Sequence, residues 1–358
     1  MFNRNLFLTY TIDMSKLHIL LLFGGESAEH DVSINSARNI YDALDKQAYD
    51  VSLCYIDRKG QWWHASRVEA QEQPNNELMA IFGKGEFATR YGERLRPDML
   101  FPVLHGPNGE DGSVQGVAQL LHLPVVGCGI VGSAICMDKD VTKRLLMQEG
   151  ISVVATAVHR VGDTEPDYDA LAKQLGQTLF VKPANLGSSI GVSKVANASE
   201  LAQALGEAHS YDHKIIIERA IIGRELECAV LGNDDPKASI LGEIKPGEVF
   251  YSYSDKYASD STAETTTEPD LPEDVSVYIR DVAVRAYKVL ECRGLARVDF
   301  FLADDGQVFV NEVNTLPGFT NISMYPKLWE ASGLGYSQLL DKLVELALAE
   351  YTRSTHKE

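Results

Sequence analysis

Residues 17–23 are the most strongly apolar stretch of the chain, interrupted only by His18, and the stretch ends at Gly24 and Gly25. Because polar and apolar residues do not alternate in it, it is typical of a strand buried on both faces of a parallel sheet. Further strands are predicted at residues 51–56, 99–105 and 124–126, and helices at residues 33–44 and 114–121. Alternating strands and helices predict an α/β domain in which helices cover both faces of a parallel sheet.

The chain has 358 residues, more than one hydrophobic core normally serves, so two or three domains are expected. A second unit begins near Met137, where Asp138 can cap a helix that Gly150 ends. The other predicted elements of this unit and of a third one are strands at residues 179–182, 214–218, 226–231, 239–245, 295–302 and 308–312 and helices at residues 200–208, 273–290 and 336–350. Residues 66–96 show no clear pattern.

The predicted division of the chain has four parts. They are an upstream extension or disordered tail at residues 1–13, an N-terminal α/β domain at residues 14–127, a central domain at residues 128–217 and a C-terminal domain at residues 218–358. Within the last part, a segment at residues 248–268 is rich in Ser, Thr and Tyr and has little periodicity. A loop of this length in a compact enzyme is typically a lid or is disordered.

Charge and cysteine content exclude several classes of function. The chain carries 33 Lys and Arg against 51 Asp and Glu, a formal net charge of −18. This argues against nucleic acid or an anionic membrane as a partner, because polyanions are bound by clustered cations. No apolar run reaches the ~18 residues that span a bilayer. The five cysteines are scattered without a C-x-x-C pair, which indicates reduced thiols and a cytoplasmic location.

Gly127, Gly129 and Gly132 match the G-x-G-x-x-G pattern of dinucleotide-binding folds. The strand before them is the last of its unit, and no ribose-binding acid follows about 20 residues later, so the match is weak. A Walker A loop is also absent from the sequence. Any nucleotide must therefore be held by another kind of site.

Asp305 and Gly306 lie between the last two predicted strands and suit a two-residue hairpin turn. Such a turn pairs residue 304 with residue 307, and this pairing fixes the register of the whole hairpin.

In that register, Asp299 lies opposite Glu312 and Arg297 lies opposite Asn314. Since side chains alternate along a strand, all four project from one face, with facing Cβ atoms about 5 Å apart. Two carboxylates and an amide so placed suit Mg²⁺ that bridges phosphates. The alternative is a solvated, salt-bridged hairpin face. The opposite face would carry four apolar side chains that anchor the hairpin on a core: Val298, Phe300, Phe309 and Val313.

Polar groups also follow other predicted strands. Lys182 ends a buried strand and precedes the Gly/Ser loop at residues 187–191, whose N–H groups and hydroxyls can hold phosphate oxygens. A flexible turn is the alternative. Glu218 ends the next predicted strand, and Glu225 follows a short loop. Both carboxylates can accept hydrogen bonds from ribose hydroxyls or be only solvated. Glu29 and His105 follow strands of the first unit at the edge where open α/β sheets bind ligands.

The chain closely resembles the D-alanine–D-alanine ligase family of the ATP-grasp superfamily in seven segments, which occur in the family's order: GGESAEHDVS, LHGPNGEDGSVQG, MDKDVTKRLL, FVKPANLGSSIGVSKV, KYASD, ARVDFFL and NEVNTLPGFTNISMYP. The resemblance implies a substrate domain followed by two ATP-grasp domains that hold ATP between them. It also implies that D-alanyl-D-alanine is made for peptidoglycan, and that the protein is a homodimer through the first domain.

The resemblance further implies roles for individual residues. Those assigned to ATP are Lys139 and Lys182 at the phosphates, Ser188 and Ser189 in the loop that closes on the phosphates, and Glu218, Ile221 and Glu225 at the adenine and ribose. Those assigned to two Mg²⁺ ions, or to Mn²⁺ in their place, are Asp299, Glu312 and Asn314, in agreement with the hairpin register.

The residues assigned to the two D-alanines are Glu29 at the first ammonium, His105 near the first carboxylate, Gly318 as an oxyanion donor, and Ser323 and Met324 beside the second carboxylate. Arg297 resembles the arginine that stabilises the transferring phosphoryl group. The lid carries Lys256, assigned to ATP, and Tyr257, and is expected to close through contacts with Glu29 and Ser188.

The implied reaction converts the first D-alanine to an acyl phosphate, which the amine of the second D-alanine attacks under a closed lid. Residues 261–268 are more polar than is usual for the continuation of this lid. A D-Ala-D-Ser or D-Ala-D-lactate ligase on the same scaffold stays an alternative, although Tyr257 favours the dipeptide. A catalytically inactive nucleotide-binding regulator is disfavoured, since five residues of the chemical machinery are present: Lys182, Arg297, Asp299, Glu312 and Asn314.

Overall fold

The computed structural model describes residues 16–70, 76–245 and 264–355. The predictions for residues 1–13, for Lys256 and Tyr257 and for most of the loop at residues 248–268 lie outside the described residues. Within the described part of the chain, none of the helices is both long enough and apolar enough to cross a membrane.

The elements of the N-terminal region are β1 (Leu17–Gly24), α1 (His30–Ala43), β2 (Tyr49–Ile56), β3 (Trp62–Ala65), β4 (Leu78–Ile81), β5 (Glu86–Thr89), β6 (Arg94–Leu95), β7 (Met99–Val103) and α2 (Ser113–Leu121). The main sheet has the order β3-β2-β1-β7. Strand β1 runs parallel to β2 and β7, which confirms the predicted parallel sheet. The edge strand β3 is antiparallel and was not expected, and the strand predicted at residues 124–126 is reduced to a bridge between Leu100 and Val125.

The two faces of β1 explain its uninterrupted apolar sequence. Ile19, Leu21 and Phe23 pack into the core on the side of α1. Leu20 and Leu22 pack into a second core on the side of α2. Since both faces of the strand are covered, neither set of alternating positions can be polar.

The segment without a clear sequence pattern contains the small antiparallel sheet β4-β5-β6. Its Phe87 is fully buried and stacks on Trp62 of β3, with ring centroids 6.0 Å apart. Strands of two to four residues are too short to show a period, so composition alone does not reveal this sheet.

The elements of the central region are α3 (Ile130–Met137), α4 (Lys139–Gln148), β8 (Thr156–Arg160), α5 (Tyr168–Leu175), β9 (Leu179–Pro183), β10 (Ser193–Val195), α6 (Ala198–His209) and β11 (Lys214–Arg219). Its sheet is antiparallel, in the order β10-β9-β11-β8. The predictions of α4, α6, β9 and β11 are confirmed, while the other four elements were missed. Asp138 caps α4 as predicted, because its carboxylate accepts hydrogen bonds from the N–H groups of Asp140 and Val141.

The elements of the C-terminal region are β12 (Gly223–Leu231), β13 (Lys237–Lys245), β14 (Glu264–Thr266), α7 (Glu273–Val289), β15 (Leu295–Ala303), β16 (Val308–Asn314), α8 (Met324–Ala331) and α9 (Tyr336–Thr355). The sheet has the order β14-β13-β12-β15-β16 and is antiparallel. Strand β14 replaces the end of the predicted loop, and α8 was missed. Tyr325 and Leu339 share a core with Ile40 of α1, so the C-terminal helices also pack on the N-terminal region.

The hairpin of β15 and β16 has the predicted functional pairs but a different turn. Ala303 accepts a hydrogen bond from Gly306 and donates one to Gln307, so the loop holds three residues rather than two. A bulge at Asn311 then shifts the register by one residue. Beyond the bulge, the pairs are those predicted.

The bulge also corrects one prediction about the core. Val310, and not Phe309, packs in the core with Val298, Phe300 and Val313. Because of the extra residue, the side chains before the bulge point to the opposite faces of the sheet from those predicted. Asn311 and Glu312 both line the same cavity.

One glycine of the G-x-G-x-x-G match allows close packing of α3. A Cβ at Gly132 would lie 2.6 Å from the carbonyl oxygen of Glu291, in the turn before β15, whereas a Cβ at Gly129 would meet nothing within 4 Å. Contact between α3 and the C-terminal region therefore explains Gly132 but not the whole pattern.

Candidate active site

A cavity of about 440 Å³ lies between the N-terminal and C-terminal regions. The predicted site residues that line it are Glu29, His105, Ser188, Glu225, Arg297, Asp299, Glu312, Asn314, Gly318, Ser323 and Met324. Lys139 and Lys182 contact its lining, and Glu218 contacts Lys182. Ser189 and Ile221 are not part of the lining.

Three neighbouring strands form the charged floor of the cavity. Asp299 on β15 pairs with Glu227 on β12 and with Glu312 on β16, so three carboxylates lie side by side. The guanidinium of Arg297 donates to both oxygens of Asp299 at 2.7 Å and lies 3.1 Å from Glu227. The amide of Asn314 also donates to Asp299, at 2.9 Å.

Arg297 supplies this floor with a permanent positive charge. Burial alone would lower the pKa of Arg297, but the carboxylates of Asp299 and Glu227 hold that pKa well above its ordinary value. A fixed guanidinium in an enclosed cavity can stabilise negative charge that develops on a reacting group.

The floor also offers ligands suited to Mg²⁺. Asp299, Glu312 and Asn314 present carboxylate and amide oxygens, which this hard cation prefers. Among residues 16–70, 76–245 and 264–355, no three His, Cys, Asp or Glu side chains form a ready metal cage. The donor set fits Mg²⁺ that takes its remaining ligands from water and substrate phosphates.

Glu218 lies buried between two lysines beside the cavity. Its Oε1 is 2.7 Å from Nζ of Lys143, and its Oε2 is 2.6 Å from Nζ of Lys182. Burial would raise the pKa of Glu218, but the two ammonium groups lower it to about 2. Nζ of Lys182 also donates to Oδ1 of Asn311 at 3.5 Å, which connects this group to the floor.

Lys139 joins the Gly/Ser loop to the floor. Its Nζ donates to the carbonyl of Leu186 at 2.7 Å and lies 3.5 Å from Glu312. The start of the loop is fixed by Asn185, whose backbone and side-chain N–H groups both donate to Asp212. The loop therefore begins at a fixed point.

The middle of the loop has an unusual backbone. Ser188 and Ser189 have φ angles of 56° and 59°, in the left-handed region that residues with a Cβ rarely adopt. Strained backbone of this kind is concentrated at ligand-binding sites. A Cβ at Gly187 would lie 3.8 Å from Oε2 of Glu29, so the loop approaches that carboxylate.

Glu29 and His105 lie together at the carboxyl edge of the parallel sheet, as predicted. The hydroxyl of Ser27 accepts a hydrogen bond from the Glu29 N–H and donates one to the His105 carbonyl. Burial lowers the pKa of His105, although the Glu29 carboxylate acts in the opposite sense. The neutral ring donates from Nδ1 to the carbonyl of Leu316 at 2.9 Å.

The N-terminal region positions residues 316–320, which contain Gly318. The side chain of Glu110 accepts hydrogen bonds from the N–H groups of Gly106 at 2.8 Å and Leu316 at 3.1 Å. Burial and the nearby Glu29 carboxylate raise the pKa of Glu110 to about 8. This carboxyl group is therefore mostly protonated at neutral pH.

Helix α1 holds the other end of the same segment. The hydroxyl of Ser36 accepts from the N–H of Phe319, and the amide of Asn39 donates to the Phe319 carbonyl, both at 3.1 Å. Backbone groups of Leu316 and Phe319, which lie before and after Gly318, are thus held by side chains from a different region.

Helix α8 begins at the cavity. Ser323 is at its N-cap position, and the hydroxyl of Ser323 accepts a hydrogen bond from the N–H of Thr320 at 3.0 Å. Met324 and Lys327 also line the cavity. Helix N-termini favour negative groups, and Lys327 adds a positive charge. This end of the cavity suits a carboxylate.

Sequence reasoning missed four residues of the site, namely Glu110, Lys143, Glu227 and Asn311. Glu227 had a signal, since it interrupts an otherwise apolar strand at residues 226–231. The others show their importance only through contacts with distant parts of the chain.

Two family models match the chain. Residues 18–128 match the model described as D-ala D-ala ligase N-terminus, and residues 145–345 match D-ala D-ala ligase C-terminus.

Individual relatives agree with this match. The chain is 48% identical to "D-alanine--D-alanine ligase" of Shouchella clausii over 95% of this chain and 97% of that one. It is 47% identical to "D-alanine--D-alanine ligase A" of Chromobacterium violaceum, with 94% and 96% covered.

Solved structures show the same likeness. The D-alanine-D-alanine ligase from Coxiella burnetii superimposes with a TM-score of 0.85 at 41% identity, with 95% of this chain and 96% of that chain covered. The VanG D-Ala:D-Ser ligase from Enterococcus faecalis also has a TM-score of 0.85, at 35% identity, with 93% and 100% covered.

The raised pKa of Glu110 predicts a specific pH dependence of stability. Between its ordinary value of 4.5 and about 8, the carboxyl group is ionised in the unfolded chain but protonated in the folded one. The free energy of unfolding should therefore fall as pH rises through this range, and Glu110→Gln should remove that fall. Across this pH range, the difference in the free energy of unfolding between the variant and the parent should change by at most about 5 kcal/mol, since one pKa unit corresponds to about 1.4 kcal/mol.

Urea unfolding from pH 5 to 8.5 measures this difference. Glu165 is exposed, so Glu165→Gln serves as the matched control and should leave the pH dependence as it is in the parent. Parallel curves for Glu110→Gln and the parent would contradict the assignment.

Proposed function

The chain belongs to the D-alanine–D-alanine ligase family, and on that premise we propose that it joins two D-alanines to D-alanyl-D-alanine at the expense of ATP, through a D-alanyl phosphate, for peptidoglycan precursor synthesis. The observation that carries the proposal is the floor on which Arg297, Asp299, Glu312 and Asn314 project into one cavity. A fixed cation and hard oxygen ligands on the same floor support the binding of phosphates at this cavity.

The nucleotide lies along the lysines beside this floor. Lys139 and Lys182 take up phosphate oxygens, and Ser188 and Ser189 cover them from the Gly/Ser loop. The adenine and ribose contact Glu218, Ile221 and Glu225. Support comes from the two lysines, which bridge from the central region to Glu312 and Asn311 on the floor.

Two Mg²⁺ ions are held by Asp299, Glu312 and Asn314. When bound, such ions neutralise charge on the phosphate oxygens and orient the phosphoryl group. The two carboxylates and the amide oxygen support this assignment.

The first D-alanine binds at the carboxyl edge of the parallel sheet. Glu29 accepts hydrogen bonds from its ammonium group, and His105 lies near its carboxylate. A carboxylate is a poor acyl donor, so transfer of the γ-phosphoryl group to one of its oxygens provides a good leaving group. Arg297 stabilises the charge that spreads over the phosphoryl oxygens during this transfer.

The second D-alanine binds with its carboxylate at the N-terminus of α8, beside Ser323 and Met324. Its amine attacks the acyl carbon, and the N–H of Gly318 and the guanidinium of Arg297 stabilise the resulting oxyanion. Phosphate then leaves. The hydrogen bonds at Leu316 and Phe319 keep the Gly318 segment in place, which supports its role. Lys256, as an ATP ligand, and Tyr257, in the closure that excludes water, stay predictions.

D-Serine or D-lactate as second substrate is the alternative that the test must address. The named relatives at 47–48% identity are D-alanine–D-alanine ligases, while the D-Ala:D-Ser ligase structure is 35% identical. This difference favours D-alanine.

We further propose a cytoplasmic homodimer with the domain division predicted from the sequence. All five cysteines are free and buried, which agrees with a reducing compartment. Large apolar side chains are exposed on α2 and on the strands and turns of the β4–β6 sheet, at Met79, Phe82, Tyr91 and Leu120. Exposed apolar groups of this kind are typical of an interface between subunits.

The activity is tested by phosphate release in the presence of Mg²⁺ and ATP, with D-alanine, L-alanine, D-alanine plus D-serine and D-alanine plus D-lactate in parallel. We expect turnover with D-alanine alone and D-alanyl-D-alanine as the product by mass spectrometry. Absence of turnover with D-alanine would overturn the proposal, and a dominant mixed product would select the alternative.

Arg297 is tested by Arg297→Lys, which retains a positive charge near Glu227 and Asp299 but loses the planar fork. We expect kcat to fall about a hundredfold, since one missing transition-state donor typically costs this much. Arg224 makes the same bidentate contact with Glu243, and neither residue lines the cavity. Arg224→Lys is therefore the matched control and should have a kcat close to that of the parent. Equal kcat values for both variants would refute the role of Arg297.

The homodimer is tested by light scattering after size-exclusion chromatography. The parent should have twice the chain mass of 39.5 kDa. Because Gly83 donates a hydrogen bond to Leu120, Phe82 and Leu120 belong to adjoining segments, so Phe82→Asp/Leu120→Asp should yield monomers. Val161→Asp, at an exposed position of the central region, should remain dimeric. A dimeric double variant would exclude this surface.

A further inference from the structure

Lys143 is a buried lysine to which the reaction described above gives no role. It lies on α4 one turn after Lys139, so both side chains project to the same side of the helix. Nζ of Lys143 is 2.7 Å from Glu218, and the two side chains are only 3% and 4% exposed. Burying an ion pair is expensive, and a well-packed apolar residue is often at least as stabilising. Stability alone therefore does not explain a lysine at this position.

Glu218 is shared between Lys143 and Lys182, which lies 2.6 Å from its other oxygen. The group of three has two positive charges and one negative charge, so it carries one surplus positive charge. A further side-chain donor to Glu218 is the hydroxyl of Thr156, whose Oγ1 lies 3.4 Å from Oε1 of Glu218, a long distance for a hydrogen bond. A neutral hydroxyl at that distance cannot replace an ammonium group.

The surplus charge matters because Lys182 is assigned to the ATP phosphates. If Lys182 were the sole cation beside Glu218, its movement to a phosphate would leave a buried carboxylate unpaired, which is strongly unfavourable. With Lys143 present, Glu218 keeps a cation in contact whichever partner Lys182 takes.

We propose that Lys143 is a positioning residue for ATP binding, which holds the charge of Glu218 so that Lys182 is free to bind phosphate oxygens. The inference rests on the proposed function, in which Lys182 contacts those phosphates. Lys143 itself is buried and does not line the cavity, so its effect should appear in ATP affinity rather than in the chemical step.

The test measures MgATP binding to the full chain by isothermal titration calorimetry, together with steady-state kinetics. Lys143→Met should weaken MgATP binding about tenfold, the loss of one charge-assisted hydrogen bond to phosphate. The KM for ATP should rise by a similar factor, while the KM for D-alanine and the kcat at saturating ATP stay within about threefold of the parent. Lys173→Met, at an exposed lysine of the same region, should change none of these quantities.

A second variant separates this role from a merely structural one. Glu218→Gln removes the charge that holds Lys182, and it also alters the proposed contact of Glu218 with the adenine and ribose, so affinities are compared within this background. Without the charge of Glu218 there is nothing for Lys143 to hold, so Lys143→Met/Glu218→Gln should bind MgATP as tightly as Glu218→Gln alone. A structural defect caused by loss of Lys143 would persist in this background. The same comparison applies if Lys143→Met alone does not fold. Equal MgATP affinity supports the proposal, and weaker affinity of the double variant overturns it.

Two further outcomes would also overturn it. A folded Lys143→Met that binds MgATP like the parent excludes the role, as does a KM for ATP in that variant equal to the KM of the parent. Lys182→Met distinguishes the inference from its premise. If Lys182→Met binds MgATP normally, the phosphate role of Lys182 fails and the inference fails with it. If Lys182→Met loses affinity while Lys143→Met keeps it, the inference alone is wrong.

Discussion

Arg297 lies between Glu227 and Asp299, and Glu218 lies between Lys143 and Lys182, so these buried carboxylates each have a cation in contact. An unpaired buried charge would cost about 3–5 kcal/mol, and in each group cations from the same region of the chain prevent that cost. Lys139, Lys182 and Arg297 bring cations to one cavity, which binding of a polyphosphate requires. The net charge of −18 argues against polyanions as partners of the surface as a whole.

The hairpin shows what sequence can and cannot predict. Alternation and an Asp-Gly turn correctly placed Asp299 opposite Glu312, because local geometry fixes which residues share a face. The predicted turn and the predicted continuous pairing were both wrong, but the two errors cancel. The turn holds one more residue than predicted, and the bulge at Asn311 shifts the register back by one residue. Neither feature has a periodic signal. The same bulge explains why Phe309 was wrongly assigned to the core and why Asn311 was missed.

The contacts that hold the site together could not be predicted, because they join residues far apart in the chain. Glu110 accepts from Leu316, 206 positions away, and Ser36 accepts from Phe319, 283 positions away. A resemblance of motifs indicates which residues belong to a site, but the packing of α1 and β7 on the C-terminal region decides how they meet. The N-terminal region therefore has two functions: it supplies Glu29 and His105, and it fixes the peptide groups around Gly318.

The central claim is that Lys182 stays in contact with Glu218 until an ATP phosphate takes the place of Glu218 as its partner. A crystal structure with Mg²⁺ and a non-hydrolysable ATP analogue tests this claim most directly. We expect Nζ of Lys182 within hydrogen-bond distance of a phosphate oxygen, Glu218 still in contact with Lys143, and the metal ions on Asp299, Glu312 and Asn314. A triphosphate bound away from Lys182, or metal ions on other residues, would contradict the account.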